Sequence, residues 1–255
     1  MNQKITVTII TLNEEENIKD CIESVWKVAD EIIVVDSLST DKTREIAKNL
    51  GAKVIEQSYL GVGLQKNFGV QFAKNDWILH LDADERLDGQ MIKEIQAINY
   101  AETAYDAYAF RRKNYIGTRW QKVWYPDYMI RLYHKDRCRF SPIIGHTSLT
   151  TKNYQRMNGN IIHYSFKDLS DCLVRAGKYS KRDAKVLLEN NLKVSAWDPV
   201  IHGSVSFLKY YFLKKGFIYG LDGLTASLLG ALRSYLKYAQ VIEMRENAEL
   251  GHPDR

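Results

Sequence analysis

Trp77-Ile78-Leu79-His80-Leu81-Asp82-Ala83-Asp84-Glu85 is an apolar run that ends in a cluster of carboxylates. A short apolar segment of this kind reads as a buried strand, and the acids mark where it leaves the sheet. Alternation along an extended chain would put Asp82 and Asp84 on the same side. Two converging carboxylates repel each other unless a cation neutralises them. A hard divalent ion with oxygen ligands would do this and keep positions open for phosphate oxygens. A solvated acidic loop would carry the same residues, so the motif alone leaves both readings open.

Upstream, strand and helix patterns alternate. Ile5–Ile10 is rich in β-branched residues, and Glu15–Val28 carries Ile18, Cys21, Ile22, Val25 and Trp26 at helical spacing. Glu31–Val35 reads as a second strand, Asp41 as the N-cap of a helix closing at Gly51, and Lys53–Ile55 as a third strand. Gly61-Val62-Gly63 lacks the third glycine of a dinucleotide loop and reads as a turn before a helix over Gln65–Lys74. Buried strands separated by helices predict a parallel α/β sheet with right-handed crossovers. Thr11-Leu12-Asn13-Glu14, Asp36 and the Asp82 cluster then end three strands at one edge, where open α/β sheets bind ligands. A pocket for base, ribose and pyrophosphate explains that arrangement; core packing does not require it.

Downstream the character changes. Tyr105–Tyr115 and Tyr128–Tyr133 read as longer aromatic strands, and beyond Ser170 the chain reads as helical, with one amphipathic helix over Asp171–Glu189 and two or three more within Ser204–Glu246. The 255 residues, 45% hydrophobic and 26% charged, exclude disorder. A net charge of +5 suits polyanionic ligands or an anionic membrane surface without singling out nucleic acid, and no nucleic-acid partner is expected. Three distant cysteines fit reduced thiols in a cytoplasmic compartment. No leader and no membrane-spanning helix are expected. From His202 to Arg245, Lys209, Lys214, Lys215, Arg233, Lys237 and Arg245 face only Asp222 and Glu243. Such helices either lie at the inner-membrane interface, on its cytoplasmic face, or pack on the catalytic part or a second subunit.

Ile9-Ile10-Thr11-Leu12-Asn13-Glu14-Glu15, Val34-Val35-Asp36-Ser37 with Ser39-Thr40-Asp41, Gln65-Lys66-Asn67 and Leu81-Asp82-Ala83-Asp84-Glu85 together resemble the family 2 glycosyltransferases of GT-A fold. Trp124-Tyr125-Pro126-Asp127 with Arg131-Leu132 is similar to the bacterial branch that builds lipopolysaccharide core. The resemblance implies a mixed α/β sheet with helices on both faces over 1–165, with a nucleotide-sugar half (1–100) and an acceptor half (101–165). A helical C-terminal region, 166–255, would follow. It also implies a metal-dependent, inverting hexosyltransferase that uses a UDP-sugar, with UDP-glucose the first guess, and a glycan or glycolipid acceptor.

Residue roles follow from the same resemblance. Thr11, Asn13 and Glu14 would line the uracil and ribose end, Asp36 would hold the base, and Lys66 would approach the diphosphate. Asp82 would face ribose and metal, and Asp84 would ligate the manganese or magnesium ion. His146 would help, although Thr147 stands where the branch carries a glutamate beside it. Thr147 cannot take a proton from the acceptor, so Asp127 becomes the expected base. His80 reads as a hydrogen-bonded neighbour of the site, and His134, His163 and His202 as scattered. Trp120, Trp124, Tyr125 and Tyr128 are either a sugar platform or packing. A sugar nucleotidyltransferase would place a Gly-rich basic loop where Asn13-Glu14-Glu15-Glu16 stands. A non-catalytic scaffold would have no use for three clustered aspartates. Oligomeric state stays open.

Overall fold

The computed structural model describes residues 4–141 and 149–250. Its contacts fall into two units. The first takes the chain up to Lys113 together with Pro126–Tyr164, and the second takes Asn114–Tyr125 together with the chain from Ser165 on.

The first unit is built on a mixed sheet. Strands β1 (Ile5–Thr11), β2 (Glu31–Asp36), β3 (Lys53–Glu56) and β4 (Trp77–Asp82) run parallel, in the order β3-β2-β1-β4. The connecting helices are α1 (Ile18–Val25), α2 (Thr43–Asn49) and α3 (Val62–Val70). After β4 come a short β5 (Glu85–Leu87) and α4 (Gly89–Ala97), then β6 (Ala107–Ile116), β7 (Arg119–Trp120), β8 (Asp127–His134) and β9 (Tyr154–Phe166). Strand β8 adds antiparallel to β4 and extends the sheet as β4-β8-β6-β9-β5; β7 pairs with Tyr115 and Ile116 of β6 within the second unit.

The two faces of the sheet follow the period-2 pattern. Ile5, Val7 and Ile9 of β1 join Trp77, Leu79 and Leu81 of β4, the apolar stripe of α1, and Met91 and Ile95 of α4 in one core. Ile78 belongs to a second core that Val70 of α3 packs against. Close approach of α3 needs Gly69, because a Cβ there would lie 2.8 Å from the Val35 side chain.

Three elements differ from the expectation. Gly61, at φ 97°, is the N-cap of α3, so Gly61–Gly63 opens the helix instead of preceding it, and α3 ends at Val70. Asp41 precedes the N-cap position of α2, yet its carboxylate still accepts the Thr43 N–H at 3.0 Å. Strand β9 was silent in the sequence because Asn158-Gly159-Asn160 interrupts it with turn residues. Those residues dock on α4. Glu94 accepts the N–H groups of Asn158 and Gly159, and a Cβ on Gly159 would come within 2.3 Å of the Met91 Cα.

The second unit holds α5 (Leu169–Glu189), α6 (Asp198–Leu208) and α7 (Gly220–Glu249), with a π-helical turn at Lys209–Leu213 and a 3₁₀ turn at Gly216–Tyr219. Asp168 caps α5 by accepting the Asp171 N–H. The segment 114–125 groups with these helices. Arg119 pairs with Asp222 of α7 at 2.8 Å, and Lys122–Trp124 packs along the same helix. Among the described residues no helix is long and apolar enough to cross a membrane.

Candidate active site

The parallel strands end at one edge, and the loops there are tied together. Asn13 sits in the left-handed region (φ 55°), where asparagine is tolerated. Its N–H donates to Ser39 Oγ, and its Oδ1 accepts the Thr40 N–H, both at 2.8 Å. The Glu14 N–H donates to Thr43 Oγ1 at 2.8 Å, while its carboxylate accepts from Asn17 at 2.7 Å. Asp36 is fully buried and accepts both the backbone N–H and the hydroxyl of Ser39. It shapes the loop after β2. The buried Thr11 hydroxyl meets no hydrogen-bond partner among the described residues.

The motif Gln65-Lys66-Asn67 does three separate jobs within one turn of α3. Gln65 Nε2 donates to Ser37 Oγ at 3.1 Å, tying α3 to the β2 loop. Lys66 Nζ lies 3.1 Å from Asp82 Oδ1 at the end of β4. The Asn67 amide exchanges two hydrogen bonds with the Phe140 backbone, at 2.9 and 3.0 Å. Lys66 is thus a buried partner of Asp82, and its pKa is lowered chiefly by burial.

Asp82 is the centre of a charge network. Arg131 on β8, buried to 1% exposure, donates to Asp82 Oδ2 at 2.9 Å and to Glu85 Oε1. Glu85 Oε2 in turn accepts the Asp82 N–H at 3.1 Å. Burial opposes the Asp82 charge, but Lys66 and Arg131 outweigh it and hold the carboxyl well below the usual range. For Arg131 burial is likewise overcome, by Glu85 and Asp82, and its pKa rises. The neutralising cations are therefore the protein's own, which revises the premise that Asp82 needs a metal for its charge.

His80 sits between Thr8 Oγ1, at 3.0 Å, and Asp82 Oδ1, at 3.4 Å. Burial, then Lys66, pushes its pKa down to about 3. An unfolded histidine titrates near 6.5, so the unfolded state binds the extra proton between these values. Stability is then full above pH 6.5 and falls as the pH drops toward 3, by at most about 1.4 kcal/mol per unit from this group. Urea midpoints between pH 7.5 and 4.5 should show this slope, and His80→Gln should flatten it. An unchanged slope in the variant would show that other groups dominate the acid response.

Asp84 does not follow Asp82 on one extended face. The chain turns at Ala83-Asp84, and Asp84 meets β9, where its Oδ2 lies 3.3 Å from His163 Nε2. Its carbonyl accepts the Tyr164 N–H at 3.0 Å. Two donors each about 2.1 Å from one ion are roughly 3 Å apart at neighbouring corners of its coordination shell. The oxygen–nitrogen separation fits that edge, so Asp84 and His163 can share a cation. Among the described residues no group of three such side chains converges, and His146 and Thr147 lie outside the described residues. Asp127, at the start of β8, receives Arg112 Nε and Nη2 on Oδ2 at 2.9 and 2.6 Å.

Against this geometry, the model of the glycosyl transferase family 2 domain matches residues 6–157. The chain belongs to glycosyl transferase family 2. A relative from Rickettsia typhi, an uncharacterized glycosyltransferase, is 34% identical across 95% of this chain and 88% of its own length. The lipopolysaccharide core biosynthesis glycosyltransferase LpsC of Rhizobium meliloti is 24% identical across 94% of this chain and 92% of its own. Glucosyl-3-phosphoglycerate synthase from Mycobacterium tuberculosis, solved with Mn2+, UDP and glucosyl-3-phosphoglycerate, has a similar fold. Its TM-score is 0.51 and its identity 17%, over 76% of this chain and 82% of that one.

Within this family 2 glycosyltransferase, sequence reasoning assigned no role to Glu85, Arg112, Arg131 or His163, although Glu85 and Arg131 stand in the quoted motifs. Arg131 binds Asp82 and Glu85, Arg112 binds Asp127, and His163 meets Asp84. Arg131 carried a partial signal, because an arginine within a buried strand needs a hydrogen-bonding partner such as a carboxylate. His163 carried no local signal. Of the aromatic residues, Trp120 packs edge-on to Tyr125 and Trp124 lies against Phe166 in the second unit, while Tyr128 in the first lies under Arg156.

Proposed function

We propose that this family 2 glycosyltransferase moves a hexose from a UDP-sugar, with inversion, to a cell-envelope glycan or glycolipid such as lipopolysaccharide core, at the cytoplasmic face of the inner membrane. The observation that carries the donor side is the Asp84–His163 pair set beside the Asp82 network at the strand ends. The M. tuberculosis structure, solved with UDP and Mn2+, supports the donor class, and the relative LpsC supports the acceptor class.

In this reading the Thr11 hydroxyl and the Asn13–Thr40 clasp face the base and ribose. Asp36 acts on the base through the loop it shapes, and Asp82 meets the ribose with its position fixed by Lys66 and Arg131. A divalent cation held by Asp84 and His163 would supply Lewis-acid stabilisation of charge on the departing diphosphate. Asp127 takes the acceptor hydroxyl's proton, and Arg112 orients its carboxylate as the third member of a base–orienter arrangement. The hydroxyl oxygen bonds to the anomeric carbon as the bond to the diphosphate oxygen breaks on the opposite side.

Asp127→Asn should lower kcat with acceptor by roughly 100- to 10,000-fold, the range for loss of a general base, with little change in UDP affinity. A variant within a few-fold of wild type would remove Asp127 as the base. UDP that fails to bind by calorimetry, with or without manganese, would remove the donor reading itself.

A further inference from the structure

Helix α6 and the turn after it invert the usual pattern of a surface helix. Val200, Ile201, Val205, Leu208, Phe212 and Leu213 all point to solvent, Leu213 at 80% exposure. Ile201, Val205, Leu208 and Phe212 recur every three or four residues and form one stripe, with Val200 and Leu213 beside it. The opposite side already has its core contacts. Gly203 lies against Tyr235 of α7, and His202 stacks on the Tyr238 ring at 3.9 Å. Trp197, 71% exposed, heads the stripe, and Phe217 and Ile218 extend it on the 3₁₀ turn. Single exposed apolar residues are ordinary, but a contiguous run of this length marks a contact surface.

The charges at this surface select the occupant. Lys209, Lys214 and Lys215 are exposed beside the apolar residues, and no acid occurs between Asp198 and Asp222. A second copy joined by two-fold symmetry would bring the same lysines together across the interface. An anionic bilayer surface accepts the apolar and aromatic side chains at the acyl boundary and the lysines at the headgroups. We propose that α6 and the Lys209–Tyr219 segment dock this protein on an anionic lipid bilayer, lying on it without crossing it. The inference rests on the second unit alone and stands whether or not the donor chemistry proposed above is right.

The test is co-sedimentation of the full chain with vesicles of phosphatidylcholine, alone or mixed with phosphatidylglycerol. Wild type should partition onto the mixed vesicles and far less onto the neutral ones. Lys209→Gln/Lys214→Gln/Lys215→Gln should weaken binding to the mixed vesicles by roughly 100-fold at low salt, the sum expected for three lysines near an anionic surface. Leu208→Glu/Phe212→Glu/Leu213→Glu should abolish binding to both. These side chains are exposed, so circular dichroism and thermal melts should match wild type, and UDP binding in solution should be unchanged. Absence of vesicle binding by wild type, or equal binding to the two vesicle types, would overturn the proposal. So would a wild-type dimer in light scattering that the glutamate variant dissociates, because it assigns the face to a second copy.

Discussion

Arg131→Met should destabilise the first unit by roughly 3–5 kcal/mol, the cost of removing one partner from a buried ion pair. Arg131 is the cation that Asp82 and Glu85 share; Glu85 is fully buried, and Asp82 lies at the partly exposed end of β4. Without it, Asp82 keeps Lys66, but among the described residues Glu85 keeps one cation, Arg112 at 3.7 Å, and the Asp82 N–H. Methionine fills much of the volume, so the loss is electrostatic and not a cavity effect. Against a total of about 5–15 kcal/mol, this should appear as a large fall in the urea midpoint. Adding Glu85→Gln should recover part of the loss, because it removes the charge left unpaired. Such recovery separates the electrostatic account from simple misfit. A loss below about 1 kcal/mol would mean that water replaces the guanidinium, and that this site is not dry.

Asp84→Ala and His163→Ala should each lower kcat/KM for donor turnover with manganese by on the order of 1000-fold, as expected where a metal contributes several kcal/mol to the transition state. Combining them should cost little more than either alone, because two ligands of one ion act as a unit. Manganese titrated in the presence of UDP should bind wild type and neither variant. Neither side chain is fully buried, at 17% and 15% exposure, and neither belongs to the Arg131 network, so circular dichroism should show the fold retained in each variant. Full turnover in His163→Ala, with Asp84→Ala inactive, would leave Asp84 as a ligand and reduce His163 to its hydrogen-bonded neighbour.

These two pairs show what could be read from the chain and what could not. The four parallel strands were legible because β-branched runs ended in turn residues and helical spacing separated them. The strand-end residues Thr11, Asn13, Asp36 and Asp82 were legible for the same reason, since their position follows from the strand that precedes them. Partners supplied from afar were not. Arg131 reaches Asp82 from 49 positions along the chain, and His163 meets Asp84 through a strand whose Asn158-Gly159-Asn160 looks like a turn. The same distance in sequence hides the charge balance at Asp82, which Lys66 and Arg131 supply. Asp84 differs from Asp82 in that its side-chain partner on β9 is an imidazole, not a fixed cation.

One turn of α3 fastens three loops through three consecutive side chains. Neighbouring residues on a helix point about 100° apart, so their directions are correct only in a single phase. The tolerance of this protein to insertions and deletions should therefore change abruptly along the chain. Extra residues between Gln57 and Leu60 leave the phase of the helix untouched. One residue added between Gly63 and Gln65 would turn all three side chains away from their loops at once. Natural length variation, and any grafting of loops to alter specificity, should fall outside that helical turn.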